Sequence, residues 1–470
     1  MAVITSTGFG SGLPISDLVS QLVAAEGSPA QTRFDKREAN LQAELSAVGI
    51  LQGALSAFQS SYSELLDTSK LNSRATTSSD STLASISAEQ SAGNGSYSLE
   101  VSRLASAHKL VGQQDYNTGD TGSLSFGNAA GDSFSVGIAT GNATLEGVRD
   151  AINGASDNFG ITATILNLAS GPRLVLTAND TGEENRITSI TSTTTSGDLS
   201  GFDYSYVSNA DPLLDGDTAN YDQVRAASDA VFTLEGQALT SASNTVDSVI
   251  PGATLTLKAT TEADKPVELN ISSDTAKVKS AIEGFVKAYN SLQSLISEQT
   301  SYNSETGVAG TLQGDSLTRT VQNQLRAVLS GSYNSGGVVT SLLDLGITSN
   351  RDGSLQLDSD KLNSALADNF SDVTAFFSNE NGLAKKLEAS LKGYLQSDGT
   401  FDSRTDSINT QMAKIDDDRE ALSRRLTSLE ARLFSQFNTM DAIVAQLGST
   451  GDFLTQQLES ISQISNYRNK

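Results

Sequence analysis

A seven-residue apolar repeat marks each end of this chain, and roughly 330 residues of a different texture separate the two. Near the N-terminus Phe34, Leu41, Val48, Leu55 and Tyr62 recur every seven residues, with Leu45, Leu51, Phe58 and Leu65 filling the same face. Near the C-terminus the series Met412, Arg419, Leu426, Leu433, Met440 and Leu447 interleaves with Ile408, Ile415, Leu422, Leu429, Gln436 and Ile443. An apolar seam at that period must face another helix, and the mismatch with 3.6 residues per turn winds the pair into a supercoil. The two ends are therefore expected to pair with each other or with copies of themselves. A heptad face is also what the core of a single domain presents. The seam is long, however: an N-terminal helix of about 38 residues runs about 57 Å, more than a small bundle buries. Arg419 and Gln436 fall in the C-terminal seam, where polar residues lower stability and set register or partner number. The far ends are expected to be loose in a free monomer and to order on assembly.

Acidic residues outnumber basic ones 55 to 31, for a net charge of −24. Such a surface repels phosphate backbones and anionic bilayers, so nucleic acid and peripheral lipid are disfavoured partners. The 470 residues contain no cysteine, which removes disulfides, thiolate metal sites and thiol catalysis together. That fits a chain that crosses membranes unfolded and ends outside the cell without oxidative folding. No stretch reaches the roughly 18 continuous apolar residues of a membrane span, so no membrane insertion is expected. The first basic residue is Arg33, so residues 1–30 lack the positive region of a secretory signal.

Texture divides the chain into an α+β, multidomain arrangement. Residues 1–14 are Gly-rich, with Gly8, Gly10, Gly12 and Pro14, and should be flexible alone. Helical spacing from Ile15 to Ala25 ends at Gly27, and Ser28-Pro29 reads as the cap and first residue of a second helix running to Leu66. From 71 to about 275 period-two runs such as Tyr97–Val101, Ser133–Val136, Arg173–Thr177 and Ala253–Lys258 predict strands, interrupted by one helix over Thr144–Asn153. Helical stripes return with Val278, Ile282, Phe285, Val286, Tyr289, Leu292 and Ile296, and again with Leu317, Val321, Leu325, Val328 and Leu329. Arg351-Asp352-Gly353-Ser354 predicts a hairpin turn, Asp358 and Asp360 lead into a helix, and the last helix should begin near Asp402 to Thr405. The expected division is a leg segment over 1–70, an inner β-rich domain from 71–115 and 225–275, an outer β-rich domain over 116–224, a helical head over 276–400, and a C-terminal leg helix over 401–470.

Residues that carry chemistry are sparse. His108 is the single histidine, which excludes His-based triads and multi-His metal sites, and its neighbours Leu104, Ala105 and Leu110 suggest an ordinary surface or strand position. Gly8-Phe-Gly10-Ser-Gly12 lacks the third glycine of a dinucleotide loop, since Leu13 stands there, and no phosphate-binding loop is present. Asn350, Asp352 and Gly353 resemble part of a calcium loop, but the twelfth position is Ser359 and a hairpin suits them better. Asp211, Asp215, Asp217 and Asp222 read as a solvated acidic loop, and Asp416-Asp417-Asp418 as the wet face of the C-terminal helix. No pair of carboxylates stands out for glycoside hydrolysis. No catalytic residue, metal or cofactor is expected.

Several passages carry a resemblance. The opening Gly8–Leu13 with Asp17–Glu26, then Tyr97–Ala105, Phe285–Leu292, Leu312–Asp315, Leu345–Asp358 and Lys361–Leu366, are similar in order to the bacterial flagellar filament-capping proteins, the hook-associated protein 2 family. Gly122–Asp180 also resembles a β-rich insert found in flagellins and their relatives, whereas 181–230 match no motif. The resemblance implies an oligomeric ring at the filament tip, about five or six copies, with the terminal helices as legs and the β domains as an outer plate. Its partners would be itself, flagellin and a dedicated export chaperone. Export would use the flagellar type III apparatus, which leaves the protein outside the cell. The assembly residues expected on this reading are Phe34, Leu41, Val48, Leu55, Tyr62, Ile415, Leu422, Leu426, Leu429, Leu433, Met440 and Leu447. A hook-filament junction protein or a flagellin-like filament subunit is the nearest alternative, against which Phe285–Asn290 and Leu355–Asp358 argue. An adhesin or secreted hydrolase is the third, with adhesion through the β-rich middle as a secondary activity of a tip protein.

Overall fold

The structure, a computed structural model, describes residues 12–114, 116–208, 218–305 and 307–467, with backbone alone for 463–467. Gly8 and Gly10 of the opening stretch, and Asp211, Asp215 and Asp217 of the acidic loop, lie outside the described residues. The helices in chain order are α1 (Ile15–Glu64), α2 (Thr68–Leu71), α3 (Leu145–Gly154), α4 (Thr275–Thr300), α5 (Ser316–Leu329), α6 (Ser359–Asp368), α7 (Phe370–Ser378), α8 (Leu383–Leu395) and α9 (Thr400–Tyr467). The chain forms two compact units, one from Met1–Asp67 with Lys279–Lys470, the other from Thr68–Val278. The fold is α+β, as its texture predicts.

The helical unit is built on the lower half of α1. Ala47, Val48, Leu51, Leu55, Phe58 and Tyr62 are all buried, and the Phe58 ring lies 5.6, 5.4 and 5.8 Å from the rings of Tyr62, Phe285 and Tyr289. Phe376 and Phe377 of α7 extend the same aromatic core. Local chemistry starts the helices where the sequence supplies a cap. The Asp315 carboxylate accepts the Thr318 N–H at 2.8 Å to open α5, and Asp358 accepts the N–H groups of Asp360 and Lys361 to open α6. The predicted hairpin is present as Ile347–Ser349 paired with Leu355–Leu357. Its turn uses Gly353 at φ 85°. The Asp352 carboxylate accepts the Ser354 N–H and hydroxyl, which holds its carboxyl below the usual range. The Asn290 amide of α4 grips the edge of that hairpin, donating to the Leu355 carbonyl at 2.8 Å and accepting its N–H at 2.7 Å.

The other unit holds two apolar cores. A five-stranded antiparallel sheet in the order Arg74–Ser78, Val267–Ser273, Gly95–Arg103, Ala230–Leu234, Gln237–Ser241 packs with a three-stranded sheet of Thr245–Ile250, Ala253–Leu257 and Ala84–Ala88. Leu99, Val101, Phe232, Leu255, Leu269 and Ile271 form their core. The second core lies between two four-stranded sheets. One runs Tyr204–Ser205, Ile187–Ser196, Thr121–Asn128, Ser133–Ile138, and the other Tyr221–Arg225, Lys109–Gly112, Gly171–Ala178, Ile161–Leu168. Helix α3 contributes Leu145, Val148 and Ile152 to it, opened by the Thr144 hydroxyl accepting the Gly147 N–H at 3.0 Å.

His108 corrects the expectation of a surface or ordinary strand position: it is fully buried. Its Nδ1 accepts the Ile187 N–H at 3.1 Å, which leaves the proton on Nε2 to be donated to Gln223 Oε1 at 2.7 Å. The imidazole thus ties together strands of the two four-stranded sheets. Burial pushes its pKa down to about 4, opposed by the Gln223 bond and aided by the nearby Arg186 charge. Its neighbours in sequence gave no sign of this, because the contacts come from residues 79 and 115 positions away.

Candidate functional site

From Gln52 back toward its start, α1 lies along α9 in antiparallel register. The Gln52 amide donates to Asp402 at 3.3 Å, the Arg404 guanidinium meets Glu44, Arg419 bonds Asp35 at 2.5 Å and Glu38 at 2.6 Å, and Arg425 bonds Glu26 at 2.6 Å. Arg404 also reaches Asp315, the cap of α5, at 3.7 Å. Each step toward the start of α1 therefore meets a step toward the end of α9. The expectation of a helix break at Gly27 is corrected: α1 runs unbroken from Ile15 to Glu64 with Pro29 inside it. Gly27 is buried, and a Cβ placed there would stand 2.6 Å from Leu426 Cδ1. Leu426 fills the notch that the missing side chain leaves, so this glycine is a close-approach point between helices rather than a terminator.

The register sorts the predicted seam residues. Leu41 and Val48 are buried and Phe34 half-buried on α1; on α9 Ile408 and Ile415 are buried, and Leu422, Leu426, Leu429 and Leu433 are half-buried. Leu55 and Tyr62 are fully buried too, but they lie beyond the first residue of α9, and Tyr62 packs beside Phe58 in the aromatic core. For these two the single-domain reading of the repeat holds. Arg419 does not sit in an apolar seam: it reaches across to two α1 carboxylates, which raise its pKa. Gln436 is exposed.

At the other end the pairing runs out. Ile15 lies about twelve residues before Gly27, so it comes level with α9 about twelve residues beyond Leu426. Met440 is 40 % exposed and Leu447 66 %, so neither is covered by the described part of α1. The seven-residue series nonetheless continues through Leu454 and Ile461, 55 % and 58 % exposed, with Ile443, Phe453 and Leu458 beside them. From residue 442 to residue 462 this bare helix runs about 32 Å. Reading the repeat only as far as Leu447 missed this extension, although Leu454 and Ile461 keep its period. The acidic residues Glu26, Asp35, Glu38 and Glu44 that pair with α9 arginines carry no period of their own. No helix of the described residues is long and apolar enough to cross a membrane, and no group of three or more His, Asp or Glu among them could hold a metal ion.

Two family models match, described as "Flagellar hook-associated protein 2 N-terminus" over residues 11–108 and "Flagellar hook-associated protein 2 C-terminus" over 227–449. An A-type flagellar hook-associated protein 2 of Pseudomonas aeruginosa is 34% identical over 472 residues, covering 97% of this chain and 98% of its own length. The chain belongs to the flagellar hook-associated protein 2 family. Another member, from Escherichia coli K12, is 32% identical over 98% of this chain and 99% of its own. The crystal structure of the flagellar cap protein FliD D1-D2-D3 domains from E. coli superposes with a TM-score of 0.62 at 32% identity, over 77% of this chain and 99% of that one. Membership thus rests on similarity along the whole chain.

Proposed function

We propose that the chain works as the cap of the bacterial flagellar filament, the role for which its E. coli relative, a flagellar cap protein, is named. The structural feature that carries this reading is the bare apolar face of α9, about 32 Å of it, offered beyond the helix pair. A face of that kind on an acidic chain is a surface kept for assembly. In this reading the paired helices and the α9 extension form the leg that engages the filament end. The helical bundle of 276–400 packs copies side by side in a ring of about five or six. The inner and outer β-rich domains, divided as the sequence texture divides them, form a plate that retains arriving flagellin until it folds into the lattice. Flagellin, an export chaperone and other copies of the chain are its partners. It leaves the cell through the flagellar type III apparatus and works at the tip, where the plate offers a surface for adhesion as a secondary activity. No bond-making step is part of this work. The junction and filament-subunit readings are disfavoured because hook-associated protein 2 relatives match from end to end.

The test is a cap-deficient strain complemented with Leu447→Asp/Leu454→Asp, both exposed positions, against Ser449→Asp/Gln456→Asp on the opposite, polar face as the charge-matched control. The apolar-face variant should fold and be exported yet shed flagellin into the medium, while the control retains it. Equal retention by both would remove the α9 extension from the leg.

A further inference from the structure

A groove of about 820 Å³ runs between α4 and the Leu355–Leu357 strand of the helical unit. Val286, Leu295, Leu355 and Leu357 give it apolar walls, and Ser291 and Ser294 of α4 keep its rim low. The strand belongs to a two-stranded hairpin, and a sheet of two strands is marginal until a third joins it. The Asn350 N–H donates to the Ser354 carbonyl and the Asp358 N–H to the Gly346 carbonyl, which sets the register. Leu355 and Leu357 therefore turn their own N–H and C=O groups away from Ile347–Ser349. The Asn290 amide takes both groups of Leu355, as a neighbouring strand would. No bond of the described residues reaches those of Leu357, and the groove lies open beside them. A second hairpin has the opposite problem. Tyr302–Asn303 pairs with Val308–Ala309 just beyond the end of α4, and all four residues are exposed, Tyr302 by 57 % and Val308 by 64 %. Its base is pinned: the Gly310 N–H donates to the Ser301 carbonyl at 2.8 Å, the Leu312 N–H to the Gln299 carbonyl at 2.9 Å, and a Cβ at Gly310 would strike the Gln299 carbonyl. Two bare apolar side chains are thus held out on a strand pair that has no core of its own.

We propose that this hairpin of one copy seats in the α4 groove of the next, lying along Leu355–Leu357 as added strand and burying Tyr302 and Val308 against Val286, Leu295 and Leu357. Main-chain bonds to an open edge supply the attraction and the apolar side chains the fit. The four strand residues carry no charge, so they enter a groove rimmed by Glu283, Lys287 and Glu298 without repulsion, where much of a chain of net charge −24 would not. The carboxylate of the turn, Glu305, can face Lys287. Groove and hairpin are different patches of one chain, so the contact is head to tail, and every copy offers both halves; such a contact makes a ring when its rotation closes. The inference rests on the reading of the chain as a ring of copies and names the contact that builds it.

The chain has no cysteine, so introduced thiols test the seat without background. Full-length Val308→Cys protein is mixed with Ser291→Cys or Ser294→Cys protein at tens of micromolar under a mild oxidant, all three substitutions being at exposed positions. A disulfide forms only where two Cα atoms come within about 7 Å, so the mixtures should give covalent dimer at least tenfold above any of the proteins alone. The same excess is expected over Val308→Cys mixed with Asn323→Cys, an exposed position of α5 outside the groove. Tyr302→Asp/Val308→Asp should keep the parent's circular dichroism yet need at least tenfold more protein to oligomerise by light scattering. Absence of adduct from both mixtures, in a parent that oligomerises, overturns this contact and leaves the ring reading standing. A parent that stays monomeric and gives no adduct fails both. Dimer formed as readily by one cysteine variant with itself means a two-fold contact, which also overturns the head-to-tail seat.

Discussion

Acidification should act on this molecule through one imidazole. His108 is fully buried with both ring nitrogens bonded, Nδ1 as acceptor from Ile187 and Nε2 as donor to Gln223. A proton added to Nδ1 would break the Ile187 bond and bury a charge near Arg186. The folded pKa of about 4 lies below the ordinary 6.5, so between those values the unfolded chain binds a proton that the folded chain refuses. Stability is therefore full above pH 6.5 and is lost as pH falls toward 4. A difference of about 2.5 units corresponds to about 3 kcal/mol, of which about 2.5 kcal/mol is gone by pH 4.5. The chain has a single histidine, so ring-labelled histidine yields one NMR signal without assignment. It should stay neutral and Nε2-protonated from pH 7.5 to 5 and titrate near 4. Calorimetry at pH 7.5 and 4.5 should show an acid loss in the β-rich unit that is smaller in His108→Gln by about 2.5 kcal/mol, other carboxylates cancelling in the comparison. A midpoint near 6.5, or identical acid losses in both proteins, would refute the burial argument.

Two further outcomes follow from the seam. Leu41→Asp places an unpaired carboxylate at a 7 % exposed position and should destabilise the helical unit by about 3 kcal/mol, whereas Leu447→Asp at 66 % exposure should leave the circular-dichroism melt within about 0.5 kcal/mol of the parent; comparable losses would show that Leu447 is covered. Arg419→Ala removes the bonds to Asp35 and Glu38, so the gap in melting temperature between variant and parent should narrow as sodium chloride rises to 1 M, and a gap independent of salt would mean the arginine acts through packing.

Periodicity by itself determined much of this protein. The heptads of Phe34–Tyr62 and Ile408–Leu447 predict the two long helices, the alternating runs predict the strands, and Asp358 marks a helix start, because each of these signals is local. What an apolar stripe faces is not local. Leu41, Tyr62 and Leu447 belong to the same kind of repeat, yet one lies along the helix pair, one in an aromatic core and one in the open, because the register of α1 on α9 decides where pairing begins and ends. Gly27 and Pro29 look like a terminator followed by a start, but α9 supplies Leu426 to fill the notch and the helix continues across it. His108 stands among unremarkable neighbours, and only the meeting of two sheets buries it. Sequence determined the elements through contacts a turn or a strand pair long; tertiary structure alone decided which faces are covered, because that depends on residues hundreds of positions apart meeting in one register.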